Sequence, residues 1–226
     1  MNITTIEGID ILFVMAVGQE YGPRLRAMID PLLTGVGPIE AALMTGTTLQ
    51  RLHDRGQRPD LVISLGSAGS RRCAVGSIHQ IGAVAWRDMD ASRIGFTKGV
   101  TPFLDHPAAM PLPTPWPDLP VATLSTGANI VGGDDYAAID ADLVDMETFA
   151  VLRACQHFAV PMIGLRGVSD GPGELNEIHG WTARLGLLDT RLAAATERLD
   201  AKILRQAIEK ATFFGQTSPT SMTRSE

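Results

Sequence analysis

The chain has 226 residues, 45% of them apolar and 19% charged, with a formal net charge of −6. This length suits one α/β domain with a substantial core. The acidic balance disfavours nucleic acid or anionic lipid as a partner, and no apolar run reaches the roughly 18–20 residues that cross a bilayer.

The apolar stretch Ile9–Ala16 has no basic flank before it and no small-residue cleavage site after it. A secretory signal is therefore not expected, and a cytoplasmic location is. Cys73 and Cys155 stand far apart without metal-ligand neighbours, and Cys155 falls in the apolar pattern of a helix as a small hydrophobe. The histidines His53, His79, His106, His157 and His179 show no paired spacing, so a bound catalytic metal is not expected.

In chain order, Ile9–Ala16 reads as a strand buried on both faces. The turn Gly18-Gln19-Glu20 follows, then a helix through Arg26. Thr34–Gly37 breaks the pattern, and Ile39–His53 has helical periodicity. Asp60–Leu65 is a second apolar strand, expected to end in the small-residue loop Gly66–Ser70. Ile78–Trp86 is a third strand. The proline-dense stretch Thr101–Pro120 reads as a long ordered loop. Val121–Ser125 is a strand, and Asp142–Val144 leads into a helix over Glu147–Phe158. Pro161–Val168 is the last strand, followed by a loop over Asp170–Glu174. Trp181–Lys210 is helical in composition, with Leu185, Leu188, Leu192 and Leu199 on one side. Residues 1–215 are expected to form one domain and 216–226 a frayed tail.

Strands alternating with helices predict a single-domain α/β fold: a mixed, mostly parallel twisted sheet flanked by helices. Ligands on such sheets sit beyond the carboxyl ends of the strands. Four polar clusters fall there: Gln19-Glu20, Ser67–Ser70, Asp88–Asp90 and Ser169-Asp170.

Three segments carry a resemblance when taken in order: Pro59–Gly69 (PDLVISLGSAG), Val144-Asp145-Met146-Glu147 and Arg166-Gly167-Val168-Ser169-Asp170. Together they resemble the 5'-methylthioadenosine/S-adenosylhomocysteine nucleosidases of the purine nucleoside phosphorylase superfamily, over about Ile11 to Leu199. The resemblance implies a nucleoside-phosphorylase-like fold and hydrolysis of the N-glycosidic bond of a purine nucleoside. Water and proton transfer suffice for that reaction, so no cofactor is expected.

Breaking a ribose–purine bond builds positive charge on the sugar and negative charge on the base. An acid for the departing ring and a base for the attacking water follow, the two-carboxylate logic of inverting glycosidases. By resemblance, Asp170 protonates the purine at N7, Ser169 orients it and Glu20 positions the water. Taken alone, Ser169-Asp170 fits a turn or cap, and Glu20 a first-turn surface glutamate. The resemblance further implies that Glu147 accepts both ribose hydroxyls and that Met146 packs beneath the sugar. Ala16, Ser67, Ala68, Gly69, Asn129, Ile130, Asp145, Arg166 and Trp181 complete the implied binding set. Asp145 and Glu147 also suit a helix N-terminus. Arg166, in an otherwise apolar strand, needs partners, with Glu147 or Glu20 as candidates. A homodimer is implied, with Ile94 and the Gly99–Pro102 turn near the neighbouring subunit's site; an ordinary surface loop is the equal alternative.

Phosphorolysis is the competing reaction, and it needs cationic phosphate donors. Ser64 stands where phosphorylases commonly place an arginine, a carboxylate at Glu20 repels phosphate, and Arg24 and Arg87 belong to no phosphate-binding pattern. Two positions depart from the family: Asn129 replaces the aromatic that stacks on adenine, and Asp145 replaces a glutamate. They leave open a nucleosidase for another purine nucleoside, or a binding protein that lost the chemistry. Trp181 fits either a cover over the site or plain core packing.

Overall fold

The chain enters its sheet at β1 (Thr4–Ile6), an antiparallel edge beside β2 (Ile9–Met15). From Ile11 to Met15 strand β2 is buried on both faces, as its apolar run predicts. Leu12 and Val14 pack to one side, Ile11, Phe13 and Met15 to the other. The computed structural model describes residues 3–171, 173, 181–182 and 184–215. Pro172 and Glu174 of the expected loop after Asp170, and the expected tail 216–226, lie outside the described residues.

Among the described residues nine strands form one sheet. Strand β2 runs parallel to β3 (Leu32–Leu33) and to β4 (Leu61–Gly69). The remaining strands are β5 (Ile78–Trp86), β6 (Ala109–Pro111), β7 (Val121–Thr126), β8 (Leu143–Asp145) and β9 (Met162–Asp170). Parallel pairs β4–β9, β5–β7 and β7–β8 alternate with antiparallel pairs β4–β8, β5–β9 and β5–β6. Strands β4, β8, β7, β5 and β9 thereby close on one another, and several of their carboxyl ends come together at one mouth. The fold is mixed α/β, in keeping with the sequence reading.

Helices cover both faces. On one, α2 (Pro38–Asp54) and α3 (Thr148–His157) supply Leu49, Leu52, Val151 and Leu152 to the core. On the other, α4 (Leu185–Glu197) and α5 (Ala201–Gly215) supply Leu192, Ala193, Leu204 and Ala207. Each fully buried aliphatic side chain of this kind contributes roughly 1.5–3 kcal/mol.

The expected helix through Arg26 is the single turn α1 (Pro23–Arg26), starting at a proline suited to a first helical position. Three local expectations are corrected. The small residues Gly66–Gly69 are not a loop; they continue β4 by pairing with Arg166–Asp170 of β9. The proline-rich stretch contains the short strand β6, paired with β5. The long C-terminal helix breaks between α4 and α5, where the Asp200 carboxylate caps the new start by accepting from the Ile203 N–H at 2.8 Å.

Candidate active site

Local structure at the mouth explains how each polar side chain is placed. Between the pairs Ala68–Val168 and Gly69–Asp170, β9 carries one extra residue, Ser169. Such a bulge re-aims neighbouring side chains, and it is common beside functional sites. Here the Ser169 hydroxyl donates to Asp170 Oδ1 at 2.5 Å. Burial pushes the Asp170 carboxyl up from its ordinary range, against the opposing Ser169 hydrogen bond.

Glu20 is fixed from the other direction. The buried Asp189 carboxylate of α4 accepts from the backbone N–H groups of Arg24 and Leu25 at 2.9 and 3.0 Å, pinning α1 and the turn before it. Gly22 is required there, because a Cβ would stand 2.5 Å from Asp189 Cγ. Glu20 itself is only 8% exposed. Its Oε1 accepts from the Ser67 backbone N–H at 2.9 Å and from the Ser67 hydroxyl, while Oε2 is buried with no protein partner. Burial raises its pKa, opposed by Ser67 and the Arg166 charge, with Asp145 adding to the rise.

Glu147 ends the strand-to-helix corner before α3. Its Oε1 accepts from the Gly37 N–H at 2.8 Å, at the start of α2. Burial, with the Asp145 charge next in size, pushes its carboxyl up to about 7.

A cavity of about 570 Å³ opens over these groups. Of the residues expected in the site, Ala16, Glu20, Ser67, Ala68, Gly69, Asn129, Ile130, Asp145, Met146, Glu147, Ser169, Asp170 and Trp181 line it. Arg166 does not. It borders an adjoining recess of about 10 Å³, which Glu20, Ser64, Ser67 and Glu147 also line. That is the room of about one water molecule.

The expected partners of Arg166 are corrected. The guanidinium pairs with neither Glu147 nor Glu20 but with Asp145, at 3.1 Å. It also donates to the Ser64 carbonyl and hydroxyl, the Leu165 carbonyl and the Thr148 hydroxyl. Asp145 in turn accepts from the Thr126 hydroxyl at 2.6 Å and the Thr148 N–H at 3.0 Å. With its side chain 1% exposed, the Asp145 carboxylate serves the wall of the site rather than its interior.

Some contributors were not legible beforehand. Thr126 and Thr148 are ordinary residues at a strand end and a helix start. Arg87, weighed only as a phosphate ligand, lines the cavity and donates to the carbonyls of Ser125, Asp145 and Asn129 at 2.6, 3.0 and 2.5 Å. Its Nε also donates to the Asn129 side-chain oxygen at 3.3 Å. Tyr136, outside every motif, is buried 3% exposed with its hydroxyl unpartnered, and the Asp170 charge acts on it. Its position relative to β4 was the missing information. Ile94 is 72% exposed, and Pro102 is half-buried beside the exposed Phe103.

The family model described as the phosphorylase superfamily matches residues 123–205. A 5'-methylthioadenosine/S-adenosylhomocysteine nucleosidase from Actinobacillus succinogenes is 32% identical, over 63% of this chain and 68% of its own length. One from Haemophilus influenzae is 30% identical, over 62% of this chain and 67% of its own. Among solved structures, the Neisseria meningitidis nucleosidase in complex with methylthio-immucillin-A superposes with a TM-score of 0.67 at 20% identity, covering 84% of this chain and 99% of that one. The Colwellia psychrerythraea nucleosidase in complex with adenine gives a TM-score of 0.69 at 19% identity, covering 92% and 98%. At that identity the structural likeness speaks for the fold. Among the described residues no helix is long and apolar enough to cross a membrane.

Proposed function

Since this chain belongs to the 5'-methylthioadenosine/S-adenosylhomocysteine nucleosidase family, we propose that it hydrolyses the N-glycosidic bond of such purine nucleosides, releasing adenine and a 5-substituted ribose. The observation that carries the reading is one cavity walled by two carboxyl groups, the half-buried Asp170 and the buried Glu20, with a one-water recess at the second. In this reading a water in the recess attacks the anomeric carbon and gives its proton to Glu20. The C–N bond breaks with its electron pair passing to the purine, and Asp170 donates a proton to N7. The upward shifts suit both tasks: burial favours the protonated form of Asp170, and it makes Glu20 the stronger proton acceptor once ionised. Glu147 accepts the ribose hydroxyls, and Met146 lies against the sugar.

Hydrolysis is favoured over phosphorolysis because the recess is too small for phosphate and is bordered by carboxylates. Arg87, the cation on the cavity wall, already has its donors on carbonyl and amide oxygens. A second reading, another purine nucleoside as preferred substrate, is supported by Asn129. Its amide oxygen accepts from Arg87, while its NH2 group meets the Ile130 carbonyl at 3.5 Å on the cavity wall, where an aromatic ring would offer no donor. We also propose a cytoplasmic enzyme of methionine salvage that works as a homodimer. The exposed Ile94, Phe103 and Ile130 would supply apolar surface for the contact.

The test is base release from methylthioadenosine, S-adenosylhomocysteine, adenosine and inosine, each with and without phosphate. Phosphate-independent adenine release from the two thio-nucleosides is expected. Release that requires phosphate overturns hydrolysis, and faster release from inosine shifts the assignment to the second reading.

A further inference from the structure

Trp181 reaches the catalytic carboxylate through one intermediary. Its indole Nε1–H donates to Ser67 Oγ at 3.0 Å. The same hydroxyl donates its only proton to Glu20 Oε1, beside the Ser67 backbone N–H that donates to that oxygen at 2.9 Å. A serine hydroxyl alone rotates to suit its surroundings. With the indole proton on one of its lone pairs, its own O–H is directed at Glu20, and donors in such a chain strengthen one another.

The consequence falls on the other carboxylate oxygen. Two donors on Oε1 set the rotation of the group and leave Oε2 buried and unpartnered. A Cβ built at Gly66 would lie 3.2 Å from Glu20 Oε2 and 3.7 Å from Arg166 Cζ, so Oε2 is turned toward the side where Arg166 borders the one-water recess. We propose that Trp181 is a positioning residue: its indole N–H, acting through Ser67, holds Glu20 with its second oxygen facing that recess. The inference rests on the hydrolytic reading, in which Glu20 activates the water. It gives the tryptophan a role that a cover over the ligand does not require.

The replacement Trp181→Phe keeps an aromatic ring on the cavity wall and removes the donor together with one ring of the indole. On the nucleoside that the wild type cleaves fastest, kcat is expected to fall about three- to ten-fold, the effect of one lost hydrogen bond, with KM within about two-fold. The acid limb of kcat/KM should move to higher pH, because a loosened hydrogen bond to the carboxylate favours its protonated form. The charged groups around Glu20, namely Arg166, Asp145 and Glu147, are unchanged in this variant. In a Ser67→Ala background the tryptophan replacement should have no further effect. A rise in KM with an unmoved pH profile, or effects of the two replacements that multiply, overturns the proposal.

A second measurement does not depend on turnover. The Trp181 indole N–H resonance should shift as Glu20 titrates, and the shift should vanish in Glu20→Gln. A resonance indifferent to pH or to that replacement also overturns the link. A wild type that cleaves no nucleoside sinks the hydrolytic reading, and the indole titration then decides the positioning link by itself.

Discussion

Arg166 and Asp145 form an ion pair at 3.1 Å, with side chains 3% and 1% exposed. Ser64, Thr126 and Thr148 satisfy the remaining donors and acceptors around it. A buried pair of this kind adds little over an apolar substitute, yet removing one partner strands the other charge. Asp145→Ala should therefore cost about 3–5 kcal/mol of stability, read by chemical denaturation. Asp145→Asn, which keeps an acceptor for the guanidinium, should cost less. Equal and small losses for both would mean that Arg166 finds another counter-charge.

Asp170 and Glu20 are expected to act in the chemical step rather than in binding. Asp170→Asn removes the transferable proton but keeps the shape and an acceptor for Ser169. The expected loss in kcat is about 10²–10⁴-fold, the range for general acid–base groups, with affinity for adenine within about three-fold. Glu20→Gln should behave alike. A variant that keeps kcat and loses adenine affinity would make its residue a ligand for the base instead.

Gly69 sits where the site leaves no room for a side chain. A Cβ there would lie 2.4 Å from the Tyr136 hydroxyl, 2.8 Å from Asp170 Oδ2 and 3.1 Å from Val144 Cγ2. The Gly69 backbone itself is held by pairing with both β8 and β9, so it cannot simply withdraw. Gly69→Ala should displace the Asp170 carboxyl and lower kcat at least ten-fold, since small misplacements of a reacting group are costly. Turnover near that of the wild type would show that Asp170 relaxes without losing its task.

Much of the framework was legible because it rests on local pattern. The mostly apolar runs that open β2, β4 and β9 require burial on both faces, and the helical periods before His53 and Phe158 are plain. The expected site residues followed from the three motifs and from the resemblance they carry, and all but Arg166 line the main cavity. What stayed hidden depends on pairing distant in sequence. Gly66–Gly69 has the composition of a loop, and only its ladder with β9 makes it strand. Arg166 announced a need for a counter-charge but not which one: Asp145 ends β8 within its reach, whereas Glu147 turns away to the Gly37 N–H. Tyr136 and Arg87 belong to no local pattern, and only the closed ring of strands brings them to the site.

Glu147 makes the folded state sensitive to pH in a direction opposite to that of an exposed, paired carboxylate. Burial and the Asp145 charge raise its pKa to about 7, from an ordinary 4.5. The folded state thus binds a proton that the unfolded state has already released between those values. Its contribution to stability is complete below about pH 4.5 and is lost as pH rises through about 7. Glu20 and Asp170 are shifted in the same sense, so the Glu147 share must be read as a difference. Glu147→Gln keeps an acceptor for the Gly37 N–H and cannot ionise. The melting temperature of the ligand-free wild type relative to this variant should fall by a few degrees between about pH 5 and pH 8. A relative rise over that interval would mean that Glu147 is ionised in the fold, with Arg166 as its effective counter-charge.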